Sequence, residues 1–278
     1  MSAYTEWRPS VAPGRQVSCL WTRHHAPGPS YEQLVVPDGC VDLVWSDAGL
    51  QVVGADLAPR SVPVRGGAEL AGLRFRPGAA GLLLGARPAR ELRDLQVPLA
   101  EVVGAATAER LGERLAAARG PREAAAELEA FVAALVPGWE PDRVVERAVA
   151  ALGRAQGARL PELATELGLS ERQLRRRVTD AVGYGPKTLH AVLRFQRALA
   201  CARPGHGRGT GEGQGDGGGP DAGAGPGLAE VAALAGYADQ AHLTREVRRW
   251  AGVPPRVLLG RRAAGPDGAR GQASGASS

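Results

Sequence analysis

The chain has 278 residues, 44% of them hydrophobic, with 34 Lys and Arg against 29 Asp and Glu and a formal net charge of +5. That apolar content supplies the cores of one large or two ordinary domains and excludes a disordered chain. No apolar run approaches the ~20 residues that cross a bilayer, residues 1–7 lack a basic-then-apolar leader, and Cys19, Cys40 and Cys201 form no C-x-x-C pair; a cytoplasmic protein with reduced thiols, no membrane partner, no metal and no cofactor is expected.

Residues 1–91 read as a small β-rich domain. Short runs that are partly β-branched or aromatic and bounded by Gly, Pro or Asp predict strands over 18–22, 32–36, 41–45, 50–53 and 70–75, in a barrel or sandwich. Within it, Asp42, Trp45, Arg74 and Arg76 are the candidate effector-binding residues. The plainer reading of Arg74 and Arg76 is a solvated outer sheet face, and Asp38, in Pro-Asp-Gly, is a turn residue first. Cys40 reads as a buried thiol, and the adjacent His24 and His25 lack the spacing of a metal site. An enzyme built on this domain is the alternative, but the chain has no clustered His and Glu or nucleophile–base set to support one.

Residues 92–138 turn to alanine, leucine and glutamate and read as a helical connector, with helices over 99–119 and 121–136 ending at Pro137-Gly138. Their alanine- and leucine-rich faces call for a partner surface, which suggests a dimer interface or a relay between domains. Residues 139–260 then read as an all-α domain. Val144, Val145, Ala148, Val149 and Leu152 share one helix face, and Leu163, Ala164 and Leu167 share another. Ser170 opens the next helix, with Gln173 placed for a capping box. A longer helix over 187–202 turns Leu189, Val192, Leu193, Leu199 and Ala200 inward. Twelve glycines between Gly205 and Gly227 predict a flexible loop over 204–227, and the tail over 261–278 reads as disordered.

This region contains an internal repeat. Leu160-Pro161-Glu162-Leu163-Ala164 matches Leu228-Ala229-Glu230-Val231-Ala232, and Gly168 matches Gly236, at an offset of 68. Beyond the turn Leu174 matches Leu243, Val178 matches Val247, Gly183 matches Gly252 and Pro186 matches Pro255, at an offset of 69. One residue inserted at the start of the second recognition helix accounts for the step. Each unit, at about 160–182 and 228–251, is then a helix, a glycine turn and a second helix with one apolar and one polar face. Such a helix fits a DNA major groove about 12 Å wide. With Leu174 inward, Arg172 and Arg176 point out and Arg175 flanks them; in the second unit Ala241, Arg245 and Arg248 point out, flanked by His242 and Thr244, with Gln240 at the helix start. Residues 171–203 carry eight cations against two anions, a footprint for phosphate.

The segments Gly168-Leu169-Ser170-Glu171-Arg172-Gln173-Leu174 and Gly236-Tyr237-Ala238-Asp239-Gln240-Ala241-His242-Leu243-Thr244-Arg245, each closed by a Gly-x-x-Pro turn, resemble the AraC/XylS class of transcription activators. The resemblance covers about residues 142–259. It implies an α+β protein whose C-terminal domain sets two tandem helix-turn-helix subdomains in adjacent major grooves. It places Arg172, Arg175 and Arg176 of the first unit at base-reading positions and Gln240, His242 and Arg245 of the second at contact positions; Ser170, Thr244 and Arg248, on the same helices, are further DNA-contact candidates. It also implies double-stranded DNA and RNA polymerase as partners, a small-molecule effector or homodimer contact through the N-terminal domain, and no catalytic residues. Residues 36–44 and 72–78 resemble the small β-rich domain ahead of some actinobacterial members of the class. The glycine-rich loop departs from the family, whose linker here is a few residues. Lengthening a loop from about five to about twenty-three residues costs only ~1.4 kcal/mol, so the fold survives; rigid pairing of the two recognition helices is what the loop puts in question.

Overall fold

The computed structural model describes residues 3–10, 15–202 and 226–263. Eight strands come first: β1 (Ala3–Trp7), β2 (Val17–His24), β3 (Tyr31–Val35), β4 (Asp42–Ser46), β5 (Gly49–Val53), β6 (Arg60–Val64), β7 (Glu69–Phe75) and β8 (Gln96–Pro98). Six of them form an antiparallel sheet in the order β1-β2-β7-β4-β5-β8, and β3 pairs with β6 in a second, two-stranded sheet. The five strands legible in the sequence lie within a residue or two of their expected ends. The three that were not legible have weak patterns: β1 is an edge strand exposed over most of its length, β6 carries Pro63, and β8 has three residues and ends in Pro98.

Strand alternation gives the large sheet two different faces. Leu20, Leu43, Val52 and Leu73 are fully buried on one of them. After α1 (Gly81–Leu84) and a 3₁₀ turn (Ala89–Leu92), the helices α2 (Ala100–Val103), α3 (Ala105–Ala116) and α4 (Pro121–Ala133) follow, with a second 3₁₀ turn at Val136–Gly138. The helix expected over 99–119 is thus two, because Gly104 at φ +86° interrupts it, and the one expected over 121–136 ends as an α-helix at Ala133 and tightens into the 3₁₀ turn at Val136–Gly138. Leu111 and Leu115 of α3 and Ala124, Leu128 and Val132 of α4 join the core of the sheet. Their apolar faces therefore find their partner within the chain, which removes the reason the sequence offered for a dimer through these helices.

The rest of the described chain is helical: α5 (Arg143–Leu152), α6 (Leu160–Glu166), α7 (Glu171–Val182), α8 (Pro186–Cys201), α9 (Leu228–Ala235), α10 (Gln240–Ala251) and α11 (Pro255–Ala263). The fold class is α+β, with a β-rich N-terminal part and an all-α C-terminal part. Both helix-turn-helix units share one core, from Leu174, Val178, Leu189 and Phe195 to Leu243, Val247 and Trp250. In α8 the inward set differs from expectation: Leu189, Val192 and Leu199 are buried together with Phe195 and Ala198, whereas Leu193 and Ala200 are only partly covered. The last helix continues to Ala263, past residue 259. The expected glycine-rich loop at 204–227 lies, up to residue 225, outside the described residues, as does the tail from residue 264.

The two parts meet over a broad contact. The 3₁₀ turn at Ala89–Leu92 packs on α7, and Arg90 pairs with Asp180. Gln196 of α8 donates to the Pro37 carbonyl at 2.5 Å. Gly39, at φ +83°, lies where a Cβ would stand 3.3 Å from the Tyr184 hydroxyl and 3.5 Å from Leu189. Ala55 belongs to the C-terminal core, with Leu34, Val36 and Leu57 packed against it.

Candidate nucleic-acid interface

Each helix-turn-helix unit is built by the same local devices. In the first, Gly168 adopts φ +68° after α6, its N–H donates to the Thr165 carbonyl at 3.0 Å, and Leu169 N–H reaches back to the Ala164 carbonyl at 2.9 Å. In the second, Gly236 has φ +82°, and the matching bonds run from Gly236 to Ala233 at 3.2 Å and from Tyr237 to Ala232 at 2.8 Å. Both pairs satisfy carbonyls that a helix end would otherwise leave open. The N-cap of α7 is Ser170 and that of α10 is Asp239. The extra residue of the second unit therefore sits in the turn, ahead of the N-cap, and not in the recognition helix as the alignment of the repeat suggested. The second helices of the two units, α7 and α10, have twelve residues each and close on left-handed glycines, Gly183 and Gly252.

On α7, Leu174, Val178 and Val182 are buried while Arg172, Gln173, Arg175, Arg176 and Arg177 are exposed. Arg175 lies 3.5 Å from Glu171, and Arg177 lies 3.5 Å from Asp142. Arg172 and Arg176 meet no carboxylate among the described residues. Ser170 is occupied by its cap: its hydroxyl accepts from Gln173 N–H at 3.3 Å and donates to Gln173 Oε1 at 2.9 Å. On α10, Gln240, Ala241, Arg245 and Arg248 are exposed, and Leu243, Val247 and Trp250 are buried. His242 is half-buried, with its ring edge-on to Tyr237 at 5.1 Å, and the Thr244 hydroxyl donates to the Gln240 carbonyl at 2.8 Å. The outward cation set is thus Arg172 and Arg176 on one helix and Arg245 and Arg248 on the other.

The basic footprint over residues 171–203 is smaller than its count. Arg194 lies 3.5 Å from Glu246 and 4.5 Å from the Tyr237 ring, and Arg197 donates to the carbonyls of Gly153 and, at 3.2 Å, Ala235. These two α8 arginines face inward and tie the second unit to the first, a role that the sequence count of charges did not separate from phosphate binding.

The candidate effector residues do not form one site. Arg74 donates to Asp42 through Nε at 2.9 Å and Nη2 at 2.8 Å, and lies 3.2 Å from Asp38. Asp42 holds the guanidinium well above its ordinary pKa. Burial draws the Asp42 carboxyl upward, but the bidentate geometry keeps the pair ionic. Asp38 also accepts from Cys40 N–H at 2.9 Å, which fixes the turn that meets Tyr184 and Gln196. Asp42 and Arg74 thus act as a clasp behind the inter-domain contact rather than as free ligand groups. Trp45 is on the opposite, helix-covered sheet face, where it packs on the core, and Arg76 lies past the end of β7, exposed. Burial, the first of several influences, pushes the Cys40 thiol well above its ordinary pKa. Among the described residues no group of three or more His, Cys, Asp or Glu is placed to hold a metal ion, and no helix is long and apolar enough to cross a membrane.

A family described as a domain of unknown function (DUF6597) matches residues 5–98, from β1 to the end of β8. No curated protein matches the sequence. Among solved structures, ToxT from Vibrio cholerae O395 aligns with a TM-score of 0.42 at 10% identity, over 88% of this chain and 97% of that one. Wild-type ToxT from V. cholerae strain SCE256 with bound unsaturated fatty acid aligns at 0.37 and 10%, over 93% and 94%. The AraC-like transcriptional activator CuxR aligns at 0.22 and 16%, over 72% and 81%.

Proposed function

We propose that the chain is a sequence-specific, DNA-binding transcription regulator of the AraC/XylS type, with residues 139–260 as its DNA-binding domain and residues 1–91 as a ligand-responsive domain joined to it by residues 92–138. The observation that carries this reading is the duplicated unit: two recognition helices of equal length, identically terminated, each presenting arginines without internal partners on the face opposite its buried residues. A structural surface has no need to repeat that arrangement, whereas two major grooves do. Arg172, Arg176 and Arg245 are the base-reading candidates, and Gln240 and Arg248 flank them at the groove edges. Contact with RNA polymerase and control by a small molecule complete the reading. The inter-domain contact on α7 and α8 is the route by which an event in the sheet would reach a recognition helix.

The experiment is a fluorescence-anisotropy titration of duplex DNA by the full chain at several salt concentrations. Neutralised phosphates release counterions, so the logarithm of the binding constant should fall linearly with that of salt concentration. Absence of salt-dependent binding to any duplex would contradict the reading.

A further inference from the structure

Strand β2 places Cys19, Trp21 and Arg23 on the sheet face that carries Arg74, opposite Leu20 and the helices, and His25 continues the ladder one residue past the strand end through its bond to the Ala68 carbonyl. Trp21 lies across Gly72 of β7, where a Cβ would stand 2.2 Å from the indole ring. Tyr4 of β1 covers this part of the face: its ring centre is 6.3 Å from that of Trp21 and 5.1 Å from the Arg23 guanidinium carbon. From the second sheet, the Tyr31 hydroxyl sits 2.5 Å from His25 Nδ1.

Three nitrogen atoms of this cluster are buried without a hydrogen-bond partner among the described residues: Trp21 Nε1, Arg23 Nε and His25 Nε2. Trp21 is 8% exposed and His25 is 1% exposed. With the Tyr31 hydroxyl donating to Nδ1, a neutral His25 carries its proton on Nε2, so all three orphans are donors. Burial, then the Arg23 and His24 charges, lower the His25 pKa to about 4, which keeps the ring neutral near pH 7. Arg23 itself has no carboxylate beside it among the described residues. It neighbours the Tyr4 ring, Tyr31 and the like-charged Arg74, and burial draws its pKa down. Arg74, opposite Cys19 on the same face of the adjacent strand, shows the usual resolution, two carboxylates on one guanidinium. The cleft between the N-terminal part and α7, about 530 Å³, is also resolved, since Arg90 pairs with Asp180 and Arg177 with Asp142. A half-buried guanidinium whose Nε is buried, flanked by buried donors with no acceptor among the described residues, is costly to fold unless something negative completes it.

We infer that this face of the sheet is a binding site for one small oxyanion, the carboxylate of an organic acid or a free phosphate, centred on Arg23 and flanked along β2 by the Trp21 and His25 N–H groups. One unpaired cation favours a single negative charge, and the Trp21 and Tyr4 rings suit a flat or aliphatic body attached to it. The inference deepens the reading of the N-terminal domain as the ligand-responsive part. Its test is made without DNA, so its failure leaves the DNA-binding reading standing.

The test follows thermal unfolding of the full chain at neutral pH as acetate, benzoate or inorganic phosphate replaces chloride at constant ionic strength. At least one of the three should raise Tm saturably. A response to acetate or benzoate assigns a carboxylate, and a response to phosphate alone assigns the other source. Arg23→Leu should abolish the response while its anion-free Tm stays level or rises, because the uncompensated charge is gone; a merely structural arginine would lower that Tm. Trp21→Phe, which keeps the ring and removes the N–H, should weaken the response at least tenfold in half-saturating concentration, and it carries the comparison alone if Arg23→Leu does not fold. No saturable rise with any of the three anions, or a response undiminished in the variants, overturns the site.

Discussion

Arg172 and Arg176 differ from the other arginines of α7 in having no carboxylate partner among the described residues, whereas Arg175 and Arg177 lie near Glu171 and Asp142. That difference predicts different consequences. Arg172→Ala or Arg176→Ala should weaken binding to a preferred site by ~1–3 kcal/mol and change binding to random DNA much less. Arg177→Ala should leave site preference alone. Equal losses on both DNAs, measured by competition titration, would demote Arg172 and Arg176 to phosphate contacts. His25 supports a pH prediction. Its folded pKa of about 4 is below the ordinary 6.5, so as pH falls between these values the unfolded chain takes up a proton that the folded one refuses. The stability tied to a neutral His25 is complete above about 6.5 and is lost towards about 4. Over that window the Tm of the wild type should drop further than that of His25→Gln; parallel profiles would show that the ring is not held neutral.

At the scale of elements, the two glycine turns look alike but differ in their surroundings. A Cβ on Gly168 would meet nothing within 4 Å, whereas one on Gly236 would stand 2.2 Å from the Ala155 carbonyl oxygen. Gly168→Ala should therefore cost only the left-handed backbone strain, about 1–2 kcal/mol. Gly236→Ala should add a further ~1–3 kcal/mol as the second unit is pushed off the chain after α5. Denaturant titrations of the two variants check the order, and equal losses would mean that the second turn is not seated against Ala155. This seating, with Arg194 and Arg197, also bears on the question raised by the glycine-rich insertion. Side chains of α8 hold the second unit whatever the linker's length, so shortening residues 207–225 to two or three should leave site preference and salt slope unchanged and alter affinity by no more than about 1–2 kcal/mol.

For the whole molecule, the layout was legible because three local signals agree: short β-branched runs, helical periodicity and a repeat with fixed glycines. What was not legible depends on partners far away in sequence. Nothing local says that Gly39 meets Tyr184, that Pro37 accepts from Gln196, or that α3 and α4 are covered by the chain's own sheet. One misreading and one omission were avoidable. Asp42 and Trp45 are three apart in one strand, which places them on opposite faces, and Trp21, Arg23 and His25 alternate onto one face in plain view. That Arg74 has carboxylates while Arg23 has none could not be read in the same way, since the partners of Arg74 come from β4 and the turn before it. The inward turn of Arg194 and Arg197 was hidden in the charge count for the same reason.

The central claim is that both helix-turn-helix units read DNA. It is tested most directly by selecting bound duplexes from a random pool with the full chain, and repeating the selection with Arg172→Ala and Arg245→Ala. The wild type should enrich two blocks of sequence centred about one helical turn, ~10 base pairs, apart. Arg172→Ala should relax one block and leave the other, and Arg245→Ala should do the reverse. An unenriched pool, or a single block lost in both variants, would contradict it.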